Sequence, residues 1–219
     1  KIREDLEENI FNKKINDKEY FILLSSLLFS MDKVANTCGH YDAYRKIEKI
    51  DSRFKYELII PKQLDKNQKI EIYREDSNKL AKKIKADIAF IDPPYNSRQY
   101  SRFYHVLENI TKWEKPELYG TALKPKEENM SEYCKTSAPE VFKDLIDNLN
   151  VNYIVVTYNN TYNSKSSSSK NKITLEEIKT MLEEKGETKV FDKPYKFFNA
   201  GKTELKNHKE YVFITKVEK

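Results

Sequence analysis

Two short apolar runs stand out in an otherwise polar and highly charged chain. They cover residues 86–91 (ADIAFI) and residues 151–158 (VNYIVVTY), and polar residues follow the second run while an Asp-Pro sequence follows the first. Runs of this length, rich in β-branched and aromatic residues, predict buried strands. Helical patterns flank both runs. We therefore expect an α/β layer structure in which the two runs are adjacent parallel strands, with their carboxyl ends at one edge of the sheet.

Helices are predicted where apolar residues recur every three to four positions. Asn16 and Thr174 stand where an N-cap residue begins such a pattern. A strand is predicted from the alternation of apolar and polar residues at 69–74, and an antiparallel strand pair is predicted at 188–198 and 210–216. The polar segment 163–172 has the composition of a flexible connection. The predicted helices are residues 1–15, 20–34, 80–84, 100–113, 140–149 and 173–184.

The first apolar run ends abruptly at Asp92-Pro93-Pro94-Tyr95. Proline has no N–H and fixes φ near −65°, so the pair ends the strand and stiffens the peptide that follows. A carboxylate, a rigid carbonyl and an aromatic ring are thereby expected at the carboxyl end of a buried strand, where open α/β sheets bind ligands. The alternative is an ordinary Asp-Pro turn without a chemical role.

This tetrapeptide resembles the catalytic motif of S-adenosylmethionine-dependent amino-methyltransferases, above all the DNA adenine-N6 enzymes of the restriction–modification and Dam-like type. Residues 96–100 and 103–105 are similar to the same enzymes, and the resemblance extends over most of residues 17–215. It implies a Rossmann-like methyltransferase sheet, mostly parallel with a C-terminal antiparallel hairpin. It also implies S-adenosyl-L-methionine as cofactor and DNA as substrate.

The chemistry of methylating an adenine amine explains these residue types. The Asp92 carboxylate and the Pro93 carbonyl can accept the two N–H groups of the amine, which aims its lone pair at the methyl donor and stabilises the positive charge that develops. Pro94 helps to keep the carbonyl aimed. Tyr95 offers a ring on which a base extruded from the duplex can stack. This chemistry requires neither a metal ion nor a covalent nucleophile.

Further site residues follow from the resemblance. Asp76, after the predicted strand 69–74, matches the acidic residue that binds the adenine amine of the cofactor, although a helix N-cap is the alternative role. A second ring against the extruded base would come from Tyr195, Phe197 or Phe198, each of which could instead be a core residue.

The chain is expected to divide into residues 1–68, a helical segment, and residues 69–219, the catalytic portion. Residues 36–68 are a candidate target-recognition insertion, and the alternative is an ordinary surface connection. Side chains that could contact nucleic acid lie in both portions. For the N-terminal group the alternative is a plain helix end, and for the lysines it is an exposed loop. These candidates are Asn36, Thr37, His40, Tyr41, Arg98, Lys124 and Lys126.

The glycine-rich turn that these methyltransferases place after their first strand is missing. The chain has four glycines, and none follows an apolar strand in a GxG setting. The family's strand order is 3-2-1-4-5-7-6, and the predicted elements fit strands three to seven. We therefore expect the first two strands to be supplied by an upstream segment or a second polypeptide, and the alternative is an unusual packing that covers the edge. Without them the strand at 86–91 would have an open edge, and the chain alone would be inactive.

Composition narrows the remaining alternatives only slightly. The net charge of +5 permits a polyanionic partner without requiring one. Two cysteines without CxxC spacing indicate a reducing, cytoplasmic location, and no apolar run is long enough to span a membrane. The tetrapeptide alone does not separate adenine-N6 methylation of DNA from cytosine-N4 methylation or from modification of ribosomal RNA. A nucleic-acid-binding fragment without catalysis is the alternative from another class.

Overall fold

A computed structural model describes residues 1–37, 40–43, 53–62, 67–161, 167–195 and 207–218. Its contacts divide the chain into two compact units. Lys1–Glu71 and Tyr100–Glu128 form the first unit, and Ile72–Gln99 and Asn129–Lys219 form the second. The segment after the tetrapeptide thus groups with the N-terminal residues, which differs from a single boundary at residue 68. The functional division of the chain stays a prediction.

The described residues contain seven α-helices and four strands. The helices are α1 (Ile2–Phe11), α2 (Asp17–Asp32), α3 (Ser77–Ala81), α4 (Tyr100–Phe103), α5 (His105–Lys112), α6 (Ala138–Asp147) and α7 (Leu175–Glu183). The strands are β1 (Ile88–Ile91), β2 (Tyr153–Asn159), β3 (Gly186–Pro194) and β4 (Lys209–Val217).

The first unit is built on α1 and α2, which bury Leu6, Leu24 and Leu27 between them. The predicted cap at Asn16 is confirmed, because its side chain accepts from the backbone N–H of Glu19 while the Glu19 carboxylate accepts from the N–H of Asn16. This reciprocal arrangement satisfies two N–H groups that would otherwise lack partners at the start of the helix.

The second unit contains a four-stranded sheet in the order β1-β2-β4-β3. β1 and β2 are parallel, which confirms the predicted pairing of the two apolar runs. β4 is antiparallel to both β2 and β3, so the predicted C-terminal hairpin is also present. The expectation of a mostly parallel sheet is wrong for the described strands, because only one of their three pairings is parallel.

The two faces of this sheet have different surroundings. On one face, fully buried side chains of β2 and β4 pack with side chains of α6 and α7 in the main core. The opposite face, which we call the open face, exposes apolar side chains of all four strands. The core face includes Ile154, Val156, Tyr158 and Phe213, packed against Phe142, Ile146, Ile178 and Leu182. On the open face the exposed fractions are 59% for Ile88, 67% for Phe90, 41% for Tyr153, 36% for Ile214 and 54% for Phe191.

Three expectations about the elements are corrected here. The strand at 86–91 is not buried, since Ile88 and Phe90 lie on the open face of an edge strand. Residues 69–74 form no strand, and Ile72 is 90% exposed, because no described strand lies beside them to complete a ladder. The helix predicted at 100–113 is two helices, α4 and α5, which are interrupted at Tyr104.

Candidate active site

The tetrapeptide lies at the carboxyl edge of the sheet, immediately after β1. Ile91 is the last residue paired with β2, opposite Val156. The next residue on each strand is therefore Asp92 on one and Thr157 on the other. Asp92 is exposed whereas Pro93 is buried, so the peptide that carries the carboxylate and the proline carbonyl is anchored on its inner side.

Two hydroxyl groups hold one oxygen of the Asp92 carboxylate. The Thr157 hydroxyl donates to Asp92 Oδ1 over 2.9 Å, and the Tyr95 phenol donates to the same oxygen over 2.8 Å. The Tyr95 hydroxyl is held in its protonated form, because burial first and the Asp92 hydrogen bond second raise its pKa above the usual range. The carboxylate is thus fixed from β2 and from its own turn.

The backbone of Tyr95 is fixed as firmly as its hydroxyl. Its carbonyl accepts from the Tyr158 phenol at 3.0 Å and from the backbone N–H of Lys172 at 2.8 Å. The rings of Tyr95 and Tyr158 meet edge to face with centroids 4.8 Å apart. Tyr158 is fully buried, and it also accepts from the N–H of Ile173 at 3.3 Å. The phenol of Tyr158 therefore connects the buried core directly to the tetrapeptide.

A second strip of chain runs beside the residues that follow the tetrapeptide. Asn96 and Asn171 form an antiparallel bridge, and the Arg98 guanidinium donates to the Ser169 hydroxyl at 3.0 Å. Asn171 is itself buried and donates to the carbonyl of Asn159 at the end of β2. Part of the predicted flexible segment 163–172 lies outside the described residues. The described part, 167–172, is hydrogen-bonded to residues 96–98 and to Asn159.

Another carboxyl group lies at the same edge of the sheet. Glu210, at the start of β4, is paired with Asn159 at the end of β2. Burial raises the pKa of this carboxyl, and the negative charge of Asp92 raises it further, while His208 and Asn159 act in the opposite direction. Sequence reasoning missed both residues, because only the strand register brings Thr157 beside Asp92 and Glu210 to the same edge of the sheet.

The remaining candidates of the second unit are more dispersed. Asp76 is the N-cap of α3 and accepts from the N–H of Lys79 at 3.0 Å, so the alternative role considered for it is present. Tyr195 follows β3 and is half exposed. It lies at the carboxyl edge of β2, but β1 and β3 are separated by two strands, a spacing of about 14 Å. Phe197 and Phe198 lie outside the described residues.

The N-terminal candidates and the lysines belong to the first unit. The His40 ring stacks on Phe103 with centroids 4.4 Å apart, and the Tyr41 phenol donates to Asp32 at 2.8 Å. Lys124 forms an ion pair with Asp42. These side chains therefore have structural partners, and their contact with nucleic acid stays a prediction, as it does for Asn36, Thr37 and Lys126.

Comparison with known proteins identifies the family to which the chain belongs. The profile of a family described as D12 class N6 adenine-specific DNA methyltransferase matches residues 1–181. The chain belongs to this family. Type II methyltransferase M.FokI of Planomicrobium okeanokoites is 35% identical over an alignment of 205 positions, gaps included, which covers 91% of this chain and 30% of that protein. Type II methyltransferase M.NlaIII of Neisseria lactamica is 32% identical over an alignment of 226 positions, gaps included, which covers 97% of this chain and 63% of the relative.

Modification methylase StsI of Streptococcus sanguinis is 38% identical over 161 residues, 73% of this chain and 25% of the relative. The chain thus spans between a quarter and about two thirds of the length of these curated relatives. No solved structure matches it significantly. Among the described helices, none combines the length and apolar character needed to cross a membrane.

Proposed function

We propose that this chain is the catalytic portion of an enzyme that transfers a methyl group from S-adenosyl-L-methionine to the N6 amine of adenine in DNA. Membership of the D12 family supports this reaction, and its relatives are named as methylases and methyltransferases. The observation that carries the proposal is the Asp92 carboxylate, exposed at the carboxyl end of β1 and held by two hydroxyl groups. The reaction would take place in the cytoplasm.

In this proposal Asp92 and Pro93 bind the amine as a pair of acceptors. An exocyclic adenine amine is a poor nucleophile, because its lone pair is delocalised into the ring. Accepting both N–H bonds favours a pyramidal nitrogen with its lone pair localised on it, and the negative charge of Asp92 stabilises positive charge on nitrogen. After the N–C bond forms, the amine releases one proton through the carboxylate to water. The cofactor would supply an electrophilic methyl group on a positively charged sulfur, and that sulfur would keep the electron pair of the S–C bond that breaks.

Tyr95 is proposed to stack on the extruded adenine. Its ring is oriented by Tyr158 and, at the hydroxyl, by Asp92, while Lys172 holds its backbone carbonyl. A ring fixed in this way loses little further freedom when a base stacks on it, so more of the stacking energy remains for binding. Tyr195, Phe197 and Phe198 remain candidates for the opposite ring.

The chain carries a residue suited to one end of the cofactor. Asp76 is exposed, and the cap of α3 uses only its Oδ1 atom, the acceptor of the Lys79 N–H. Its other carboxylate oxygen can accept the adenine amine of S-adenosylmethionine, so the cap and the cofactor role are compatible. The methionine end of the cofactor needs a glycine turn, where the backbone can approach it without a side chain in between. The chain contains no GxG sequence to form such a turn.

We infer further that a cofactor-binding half completes the sheet, from an upstream segment or a second polypeptide. The observed order β1-β2-β4-β3 corresponds to strands 4-5-7-6 of the expected Rossmann-like order 3-2-1-4-5-7-6. β1 would then pair with strand one of the missing half. The exposure of Ile88 and Phe90 supports this inference, because α/β sheets bury apolar side chains on both faces. Arg98, Lys124 and Lys126 are proposed to contact the nucleic acid.

The modified nucleoside identifies the reaction. The enzyme that contains this chain should be incubated with labelled cofactor and mixed-sequence DNA, and in parallel with ribosomal RNA, before digestion and mass spectrometry. N6-methyladenine from DNA is the expected product. N4-methylcytosine would show that cytosine in DNA is the substrate instead, and a methylated ribonucleoside would show that the substrate is RNA. Absence of any methylated product would favour a nucleic-acid-binding role without catalysis.

The missing half is tested by comparing residues 1–219 with the longer enzyme. We expect the chain alone to transfer no methyl groups and to bind the cofactor weakly or not at all by calorimetry. Addition of the cofactor-binding half should restore both properties. Robust turnover by residues 1–219 alone would show that no second half is needed.

A further inference from the structure

The two hydroxyl groups that donate to Asp92 make its two carboxylate oxygens different, because both bind Oδ1 and neither binds Oδ2. A carboxylate oxygen has about two favourable acceptor directions, and Thr157 and Tyr95 both donate to Oδ1. Thr157 carries a single hydroxyl proton. The carboxylate at 2.9 Å is a better acceptor for this proton than the Ile91 carbonyl at 3.5 Å. The geometry therefore places both protons on Oδ1.

We propose that Thr157 is a positioning residue that reserves Asp92 Oδ2 for the amine of the target base. The inference rests on the proposed function, since it assumes that the carboxylate accepts an N–H group of the substrate. Thr157 does not touch the reacting atoms. It acts from the neighbouring strand, whose parallel register brings the hydroxyl beside a residue 65 positions earlier in the chain.

Thr157 also determines which side chains can replace Asp92. An asparagine at this position would receive the two hydroxyl protons best with its amide oxygen at the place of Oδ1. Its NH₂ group would then occupy the place of Oδ2 and face the N–H of the substrate, donor against donor. Reversal of the amide would leave the Thr157 proton with the Ile91 carbonyl at 3.5 Å. An asparagine is therefore held in the unproductive orientation.

The first experiment separates the hydroxyl of Thr157 from its bulk in the active enzyme that contains this chain. Thr157→Val keeps the shape and favours a strand, so the melting temperature should be retained. The single-turnover rate should fall roughly tenfold, as for one hydrogen bond to a charged group, and Thr157→Ser should recover most of it. Thr188→Val, in the same sheet but bonded to Thr215, is the matched control and should leave the rate unchanged.

The second experiment combines substitutions at the two positions. If Thr157 holds the amide of Asp92→Asn in the wrong orientation, the double variant Asp92→Asn/Thr157→Val should be faster than Asp92→Asn alone, although Thr157→Val slows the wild type. Equal or lower rates for the double variant, or a wild-type rate for Thr157→Val, would overturn the inference. Asp92→Ala is assayed alongside. If it keeps the wild-type rate, the proposed role of Asp92 fails. If it loses activity but the Thr157 variants do not behave as expected, only the inference about Thr157 fails.

Discussion

The phenol of Tyr158 offers a quantitative test of how the core supports the tetrapeptide. In Tyr158→Phe the Tyr95 carbonyl keeps the Lys172 N–H at 2.8 Å, but the N–H of Ile173 loses its bond to the phenol. Both Tyr158 and Ile173 are fully buried. An unsatisfied buried donor costs about 1–3 kcal/mol. We expect about 1–2 kcal/mol here, because the lost bond is long at 3.3 Å.

Urea unfolding measures this loss directly. With a slope of about 2–3 kcal/mol per molar, the midpoint should fall by roughly 0.5 M without a change of slope. Tyr153→Phe removes a hydroxyl from an exposed position of the same strand and should shift the free energy of unfolding by less than about 0.5 kcal/mol. A loss at Tyr158 no larger than at Tyr153 would refute the reasoning.

The pH dependence of the same variant has a defined sign. Burial raises the pKa of Tyr158 to about 12, whereas an unfolded phenol titrates near about 10. The protonated phenol therefore stabilises the fold fully below pH 10, and this contribution is lost as the pH rises through about 12. The difference between Tyr158→Phe and the wild type should stay constant from about pH 6 to 9. A difference that changes in this range would indicate another titrating group.

Three further substitutions test other parts of the account. Gly186→Ala should destabilise the hairpin strongly, by at least about 2 kcal/mol in thermal unfolding, because φ is +151° and an added Cβ would lie 2.0 Å from the Lys216 carbonyl oxygen; an unchanged melting temperature would contradict this. Asp76→Ala should weaken cofactor binding in the assembled enzyme by about 1–3 kcal/mol in calorimetry, and unchanged affinity would leave Asp76 as a cap alone. Phe90→Glu should disrupt assembly with the cofactor-binding half while residues 1–219 stay folded, whereas equal yield of the assembled enzyme would show that the open face stays uncovered.

Local signals were sufficient for much of the fold. The caps at Asn16 and Thr174 were correctly predicted because a cap depends on residues within one turn of the helix. The parallel pairing of β1 with β2 followed from two apolar runs with a helical crossover between them. The tetrapeptide was found for the same reason, since its four residues are contiguous and their chemistry can be read without the fold.

Features that depend on register or on neighbouring layers could not be read from the sequence. Thr157 lies beside Asp92 only because of the register between β1 and β2, and Glu210 reaches the same edge only because of the register between β2 and β4. The exposure of Phe90 depends on what covers the sheet, and an apolar side chain looks the same in the sequence whether its partner is present or not. Residues 69–74 alternate like a strand, but a ladder requires a neighbour to accept its hydrogen bonds.

The measurement that tests the central claim most directly is the rate of N6-methyladenine formation by Asp92→Ala. Single-turnover reactions of the assembled enzyme with DNA are digested and quantified by mass spectrometry, and DNA binding is measured in parallel. Loss of the acceptor should lower the rate by at least about a hundredfold. DNA affinity should change little, because phosphate contacts by lysines and arginines dominate it. A variant that forms N6-methyladenine at the wild-type rate would show that the tetrapeptide is only a turn.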